Sequence, residues 1–468
     1  TLTINGFCCI ILYISLFIHI FRIEGKFKMA KVVPFKGLRY NTERFANLDD
    51  VTAPPYDIIS DEEQRELYTK NEHNIIRIDY GMEFDTDTDE NNRYKRAGDT
   101  LRRWIDEEVL VREQESAIYI YEQIFSLNDG KPAHSLKGFI SLVELREFVD
   151  NVILPHEETI SKAKEDRFKL MCETGANTSP IYSLYLDDEE KIARLIEENS
   201  DRDPDVSFVT SNEIKQNLWV VTDQDVISTI SALFENKKLF IADGHHRYET
   251  ALKYRKMRHD SDGTEIGTED YDYIMMMLVS MSNSGLFVFP THRLVKNLEK
   301  FDETMLIGFL TEDFSASKIY FTEGDYASII TDRLANTVDE KLFALYTGGN
   351  YYYLLKLKNF DAADAAGDGM SEALRRLDVT VLHKLILERY LGIDMENMKN
   401  QKNLAYMREA SDAVAAVRSG EYQCAFLINP TKISEIKEVA LANEKMPQKS
   451  TYFWPKLTTG LVINKLAD

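Results

Sequence analysis

Residues 241–252 read IADGHHRYETAL, and positions 243–247 hold an aspartate, a glycine, two histidines and an arginine. A hydrophobic strand ending at Asp243-Gly244 with a helix starting at once gathers backbone N–H donors in one place. Gly244 allows a tight turn and close backbone approach, the helix N-terminus adds partial positive charge, and Arg247 adds a bidentate donor within the first turn. An oxyanion or phosphate is the natural guest. His245 and His246 titrate near neutrality and can donate to a phosphate, move a proton or bind a metal. Asp243 can hold a cation or accept a hydroxyl proton. The bland alternative is a helix capped by His245 with Asp243 and Arg247 paired across the turn. It explains each residue singly, but not the cluster.

Two further segments carry matching chemistry. His156-Glu157, with Lys164, Asp166 and Arg167, offers acid/base and anion-binding groups within a dozen residues. Glu157 reads as a cation ligand or general base, and Lys164 and Arg167 as phosphate-facing cations. Ile160 stands where a zincin would need its second histidine. PQKSTYFWPK at residues 447–456 sets Lys449, Ser450, Thr451 and Lys456 among aromatic residues and could close over a phosphate. It lacks the glycines of a Walker A loop. His292-Arg293 and the loop at residues 42–57, with Tyr56 and Asp57 after two prolines, are weaker candidates. For all of these the alternatives are ordinary ones: an exposed charged helix start, a buried aromatic strand with snorkelling lysines, a strand-end ion pair, a rigid turn.

The elements that must position these groups are legible in outline. Ser60-Asp61-Glu62-Glu63 is a capping box that starts a helix. Residues 74–80, NIIRIDY, read as a strand, followed by helical spacing from Tyr94 to Ile105 and β-rich runs from Ser116 and Gly138. A helix is expected over residues 165–173, an extended run at Ile181, an acidic helix from Asp188, and a strand at residues 237–242. Helical spacing covers residues 248–258, the polar run 259–270 reads as a surface loop, and YDYIMMMLVS returns to the sheet. From about Phe301 helix and strand alternate to Asn429. The division expected is an apolar leader at 1–28, an anion-binding region at 29–300 and a C-terminal lobe at 301–468.

The bulk composition bounds the class. A chain of 468 residues with 44% hydrophobic and 11% aromatic content can bury cores for two or three domains. The excess of 78 Asp+Glu over 56 Lys+Arg, a formal charge of −22, disfavours nucleic acid as the main partner. Four scattered cysteines without a CxxC exclude a disulfide framework and a cysteine-rich zinc site, and point to a reducing, cytoplasmic setting. Residues 7–23 are almost wholly apolar, but no basic residue precedes them and no small-residue cleavage site follows. Residues 1–28 are expected to be upstream mistranslation or a weak membrane anchor.

The DGHHRYETA segment resembles the Gly-x-x-Arg signature of the ParB/sulfiredoxin superfamily, in which the matching turn holds nucleotide phosphates. Sulfiredoxins carry a similar Gly-Cys-His-Arg-Tyr-Glu-Ala run, and the free serine kinases of that superfamily carry Asp-Gly-His-His-Arg. Gly244, His246 and Arg247 match the shared turn. His245 replaces the sulfiredoxin cysteine, which argues against sulfinic-acid reduction. From Met29 onward the chain is similar to an uncharacterised bacterial family marked by this motif together with APPYD at Ala53, LPHEETISKAKEDR at Leu154, PTHR at Pro290 and MPQKSTYFWPK at Met446. The resemblance implies an α+β fold with a mixed-sheet ParB/sulfiredoxin-like core and a second α/β-type C-terminal lobe.

The expected function is nucleotide-dependent phosphoryl handling, with a small metabolite such as an amino acid as acceptor. Asp243, His245, His246, Glu157 and His156 would be catalytic, and Gly244, Arg247, Lys164, Arg167, Lys449, Ser450 and Thr451 would bind phosphate. Asp243 and Glu157 would hold Mg²⁺, and ATP, ADP and CTP all remain open as the nucleotide. The alternatives are a ParB-like nucleotide switch without turnover and a metal-dependent phosphohydrolase built on His156, Glu157, Asp243, His245 and His246.

Overall fold

The computed structural model describes residues 29–127, 130, 133–157, 161–322, 324–337 and 340–467. The apolar leader at 1–28 lies outside the described residues. Among those described, no helix is long and apolar enough to cross a membrane.

The chain is α+β and its larger sheet is mixed, as expected. Eight of its nine strands run in the order Ile153–Leu154, Leu239–Asp243, Ile181–Tyr185, Tyr273–Ser280, His134–Glu144, Ile118–Phe125, Lys215–Val221 and Val206–Val209, with Val32–Val33 added beside His134–Glu144. Leu239–Asp243 is antiparallel to Ile181–Tyr185, which is parallel to Tyr273–Ser280. The YDYIMMMLVS run shows why both faces are covered. Met275, Met277 and Val279 enter one hydrophobic core while Ile274, Met276 and Leu278 enter another, as the two-residue period of a strand requires.

A second sheet is antiparallel throughout, in the order Phe314–Tyr320, Tyr351–Leu357, Leu342–Tyr346, Cys424–Ile428, His292–Val295 and Leu404–Met407. It too separates two cores, with Phe343 and Leu345 on one side and Leu342, Ala344 and Tyr346 on the other. The C-terminal segment then returns to the first sheet region. Tyr452–Trp454 pairs with Phe287–Phe289, Asn464–Lys465 pairs with Ala176–Asn177, and Met446 and Phe453 join the first core.

The capping box forms as read, with Glu63 N donating to Ser60 Oγ at 3.2 Å and Ser60 N donating to Glu63 Oε2 at 2.8 Å. Two local expectations fail. Residues 74–80 do not form a strand, and a short helix covers Ile76–Asp79. Asn74 explains it: its Oδ1 accepts from Ile76 N at 3.0 Å while its Nδ2 donates to the carbonyls of Asp50 and Thr52, so the backbone is turned before it can extend. The helix expected over 248–258 instead covers His245–Asp262, ending at Gly263 with φ +67°. Its last turn lies in the polar run read as a loop. His259 is buried there, its Nε2 2.8 Å from Asp272 Oδ1, so polarity at 259 reflects an internal contact.

The Arg93–Asp106 helix packs on the Ser161–Thr174 helix at Gly98, where an added Cβ would lie 2.5 Å from the carbonyl oxygen of Glu173. Glycine in a helix interior ordinarily costs up to about 1 kcal/mol relative to alanine. Here the steric term reverses the sign, so Gly98→Ala is expected to destabilise by about 1–3 kcal/mol. Urea denaturation with an unchanged m-value checks this, and a stabilised variant would refute the packing argument.

Candidate functional site

The Leu239–Asp243 strand delivers Asp243 to the end of the large sheet, and the chain reverses at Gly244, where φ is +94°. That left-handed conformation suits glycine. Space demands it as well, since a Cβ would lie 3.0 Å from both Nε and Nη2 of Arg247. Arg247 folds back over the turn. Its Nη1 donates to Ser179 Oγ at 2.9 Å and to the carbonyl of Pro180 at 2.6 Å, and its Nη2 lies 3.7 Å from Asp243 Oδ2. Its Nε is buried and has no hydrogen-bond partner. An unpaired charged donor beside the N-terminus of an 18-residue helix is an incomplete arrangement that an anion would complete.

This turn forms one wall of a cleft of about 270 Å³. The other walls are Tyr56, Asp57 and Ile58, Glu157, Thr291, Tyr406 and Arg408, and Lys449, Thr451, Tyr452 and Lys456. Segments that are separated by up to four hundred residues therefore meet at one place. The cleft gathers four cations, Arg247, Arg408, Lys449 and Lys456, against three carboxylates, Asp57, Glu157 and Asp243, in a chain of charge −22.

Lys456 is central to the electrostatics. Its Nζ lies 3.3 Å from Asp243 Oδ2 and 4.5 Å from the centre of the Tyr452 ring. Burial opposes its charge, but Asp243 and Asp57 outweigh that and raise its pKa. Burial likewise opposes ionisation of Asp243, yet Lys456, Arg247 and His245 hold its carboxyl well below the usual carboxylate range. Arg408 lies over the other aromatic contact, 4.4 Å from the Tyr452 ring centre, and donates to the Tyr452 hydroxyl. Glu157 differs from Asp243. Burial raises its pKa, although its Oε1 accepts from Lys449 N at 2.8 Å.

The two histidine rings behind the turn are internal struts. His156 Nδ1 lies 2.6 Å from the carbonyl of Ile241, which can only accept, so the proton sits on Nδ1. Nε2 then accepts from Thr451 Oγ1 at 2.9 Å. His245 Nε2 accepts from His156 N at 3.2 Å, and the rings meet edge to face at 4.7 Å. Burial pushes His156 down to about 4 and His245 well below its ordinary value. Burial also lowers His246, which lines the cleft.

His156 does not line the cleft, and four more residues named from sequence, Lys164, Arg167, Ser450 and Arg293, also point elsewhere. Lys164 pairs with Glu249 at 2.7 Å and does not line the cleft. Arg167 is buried, donates to Asp166 Oδ2 and to the carbonyl of Asp79, and lies 3.8 Å from the centre of the Tyr56 ring, so it supports a cleft wall from behind. The Ser450 hydroxyl donates to the carbonyl of Pro447. Arg293 of the PTHR segment is fully buried and donates to the carbonyls of Thr291 and Lys449 and, through Nε, to His383 Nε2. Tyr406 and Arg408 were missed. Their only signal is alternation, two residues apart at a strand end. Among the described residues no group of three or more His, Cys, Asp or Glu is placed to hold a metal. Asp57, Glu157 and Asp243 are the carboxylates that line the cleft.

The chain belongs to the family described as Protein of unknown function (DUF1015), which it matches over residues 32–380. No curated protein matches it. Among solved structures it is similar to a free serine kinase in complex with AMP, at 15% identity and a TM-score of 0.33, covering 69% of this chain and 92% of that one. It is also similar to SbnI with a C-terminal truncation from Staphylococcus aureus, at 12% identity and a TM-score of 0.34, covering 70% and 87%. A conserved hypothetical protein from Pyrococcus furiosus matches at 16% identity and a TM-score of 0.31, covering 69% and 95%.

Because His156 titrates near 4 when folded and near its ordinary 6.5 when unfolded, the unfolded chain takes up its proton first as pH falls. Its contribution to stability is complete above about 6.5 and is lost on the way down to about 4. The melting temperature should therefore fall on acidification from pH 7 to 4.5, and His156→Asn should flatten that slope by up to about one proton. An unaltered slope would mean that His156 is not buried neutral.

Proposed function

We propose that this DUF1015 member is a nucleotide-dependent phosphoryl-handling enzyme, a small-metabolite kinase with amino acids among its candidate acceptors. The observation that carries the reading is the Gly244 turn at the start of the His245–Asp262 helix, which lines a cleft together with four cations, Arg247, Arg408, Lys449 and Lys456, with the buried Nε of Arg247 left without a partner. Phosphoryl transfer needs little covalent help from a protein. It needs cations positioned around the phosphates and a base for the attacking hydroxyl.

In this reading the phosphates take the N–H groups at the start of the His245–Asp262 helix, with Arg247, Lys449 and Lys456 around them and the Thr451 hydroxyl alongside. Glu157 is the general base. Its raised pKa brings it closer to working pH, where proton acceptance is most effective. Mg²⁺ takes only one or two carboxylates when phosphate oxygens supply the rest, so Asp243 with Asp57 would hold it, Glu157 serving in its place only if the base is another group, and it would neutralise charge on the phosphates. His156 and His245 hold the walls in place and His246 faces the acceptor side. Lys164 and Arg167 act through Glu249 and Tyr56. We also propose a division into a region at 29–300 carrying the turn and a lobe at 301–468, and a cytoplasmic setting, for which the unpaired thiols of Cys172 and Cys424 are the support.

A thermal-shift series with ATP, ADP, CTP and inorganic triphosphate, each with and without Mg²⁺, tests the reading. At least one nucleotide and triphosphate should raise the melting temperature, and Arg247→Ala should fold yet lose tenfold or more in affinity. Glu157→Gln should keep nucleotide binding and lose transfer to the acceptor by on the order of 10²–10⁴-fold, with the wild-type rate falling at acid pH through a pKa above the ordinary glutamate value. No shift with any of these ligands would sink the proposal. Binding without turnover would leave the nucleotide-switch reading standing.

A further inference from the structure

A second cavity, of about 230 Å³, lies against the APPYD loop and shares Ile58 and Lys456 with the phosphate cleft. Its walls come from that loop, from one face of the Asp61–Lys70 helix, from two strands of the large sheet and from residues 454–458. Glu63, Leu67 and Lys70 line it at the spacing i, i+4 and i+7, so the helix presents one stripe to it. Pro54, Pro55, Ile58, Leu67, Trp454 and Leu457 give it an apolar side, and Thr52, Thr210, Ser211, Asn212 and Thr458 line it as well. Lys70, the one cation at its rim beside Lys456, is neutralised by Asp49 at 2.5 Å. A free phosphate would find no unpaired positive charge at that rim.

The polar floor is a pair of buried amides. Gln123 and Gln216 are direct cross-strand partners in the Ile118–Phe125 and Lys215–Val221 strands, and they are only 1% and 2% exposed. Gln216 is satisfied, accepting from the Tyr121 hydroxyl at 2.5 Å. Gln123 is half satisfied. Its Nε2 donates to the carbonyl of Lys456 at 3.0 Å, and because a carbonyl can only accept, this contact decides which way the amide faces. Its Oε1 is buried without a partner. An unmet buried acceptor costs about 1–3 kcal/mol, and Gln123 is one of the residues that line the cavity.

We propose that this cavity binds a nucleobase through an exocyclic amino group on the pyrimidine ring carbon that bears a carbonyl in hypoxanthine or uracil, that is adenine or cytosine, with that group donating to Gln123 Oε1. The proposal rests on the phosphate-cleft reading and deepens it by naming the class of nucleotide. A base offers what the cavity lacks and matches what it has: a neutral planar body for the proline, leucine and tryptophan walls, and an N–H donor for the orphaned oxygen. Hypoxanthine and uracil would bring a carbonyl against Oε1, and two acceptors repel. Lys456 connects the two halves of the ligand. Its carbonyl is held by Gln123 at the base cavity while its Nζ reaches Asp243 in the phosphate cleft, so one lysine side chain spans the interval between base and phosphates. Each cavity alone is smaller than the roughly 300–1,000 Å³ usual for small-molecule sites, and the two together fall inside that range.

Calorimetric titrations of the full chain separate this proposal from the one it rests on. Inorganic triphosphate reads the phosphate cleft alone, and the nucleoside pairs adenosine against inosine and cytidine against uridine read the base cavity alone. At least one amino-bearing nucleoside should bind tenfold or more tightly than its carbonyl counterpart. Gln123→Leu should abolish that preference. Leu67→Trp, which fills the cavity from the helix side and leaves the amide pair intact, should reduce ATP or CTP to the affinity of bare triphosphate. Equal affinity within both nucleoside pairs, or a preference that survives both substitutions, overturns the base site even if triphosphate binds as expected. Failure of triphosphate to bind, with nucleoside preference present and lost in Gln123→Leu, would leave the base site standing and remove the phosphate cleft.

Discussion

Asp243 is an ionised carboxylate in a half-buried position, and Lys456 with Arg247 is what keeps it charged there. Charges taken out of water stay charged only where opposite charge is fixed beside them. That requirement joins the end of the large sheet to a residue more than two hundred positions later in the chain. The rest of the site follows from the junction. Lys456 brings Tyr452 and Thr451 to the turn, Thr451 donates to His156, and His156 locks onto the carbonyl of the strand that carries Asp243.

Around this junction the protein uses buried cations and rings as scaffolding. Arg293 ties the Lys449 carbonyl to the second sheet through His383 and the Thr291 carbonyl, and Arg167 lies against Tyr56 from the opposite side. Arg293 spends its donors on carbonyls and the His383 ring and Arg167 on a carbonyl and fixed carboxylates, so they position walls and leave ligand contact to others. Of the four cations that line the cleft, Arg247 keeps a buried Nε without a partner, while Lys456 pairs with Asp243 and Arg408 donates to Tyr452.

Much of the local architecture was legible from residue order. The strand, the glycine turn and the following helix at 239–262 are set by adjacent residues, because a left-handed turn and a helix N-terminus are short-range events. The capping box at Ser60 is equally local. Residues 74–80 were misread because a seven-residue run of mixed apolar and polar residues has no decisive period, and Asn74 turns the chain through carbonyls more than twenty residues away. The polar run after residue 258 was misread because the His259–Asp272 contact that buries its first residue cannot be seen in spacing.

For the site, the sequence by itself determined which side chains could serve an anion: the DGHHR turn, Glu157, and the hydroxyls and lysines of residues 449–456. Their chemical types and the backbone geometry at Gly244 are properties of the local chain. Only the tertiary structure decided which of them share a cleft. It turned Ser450 onto Pro447, gave Lys164 to Glu249 and Arg167 to Tyr56, and brought in Tyr406 and Arg408, which no motif marks. The physical reason is that a charged or polar side chain takes its role from the partner that satisfies it. Those partners come from strands and loops hundreds of residues apart, joined when the two sheets and the returning C-terminal segment bury their apolar faces together.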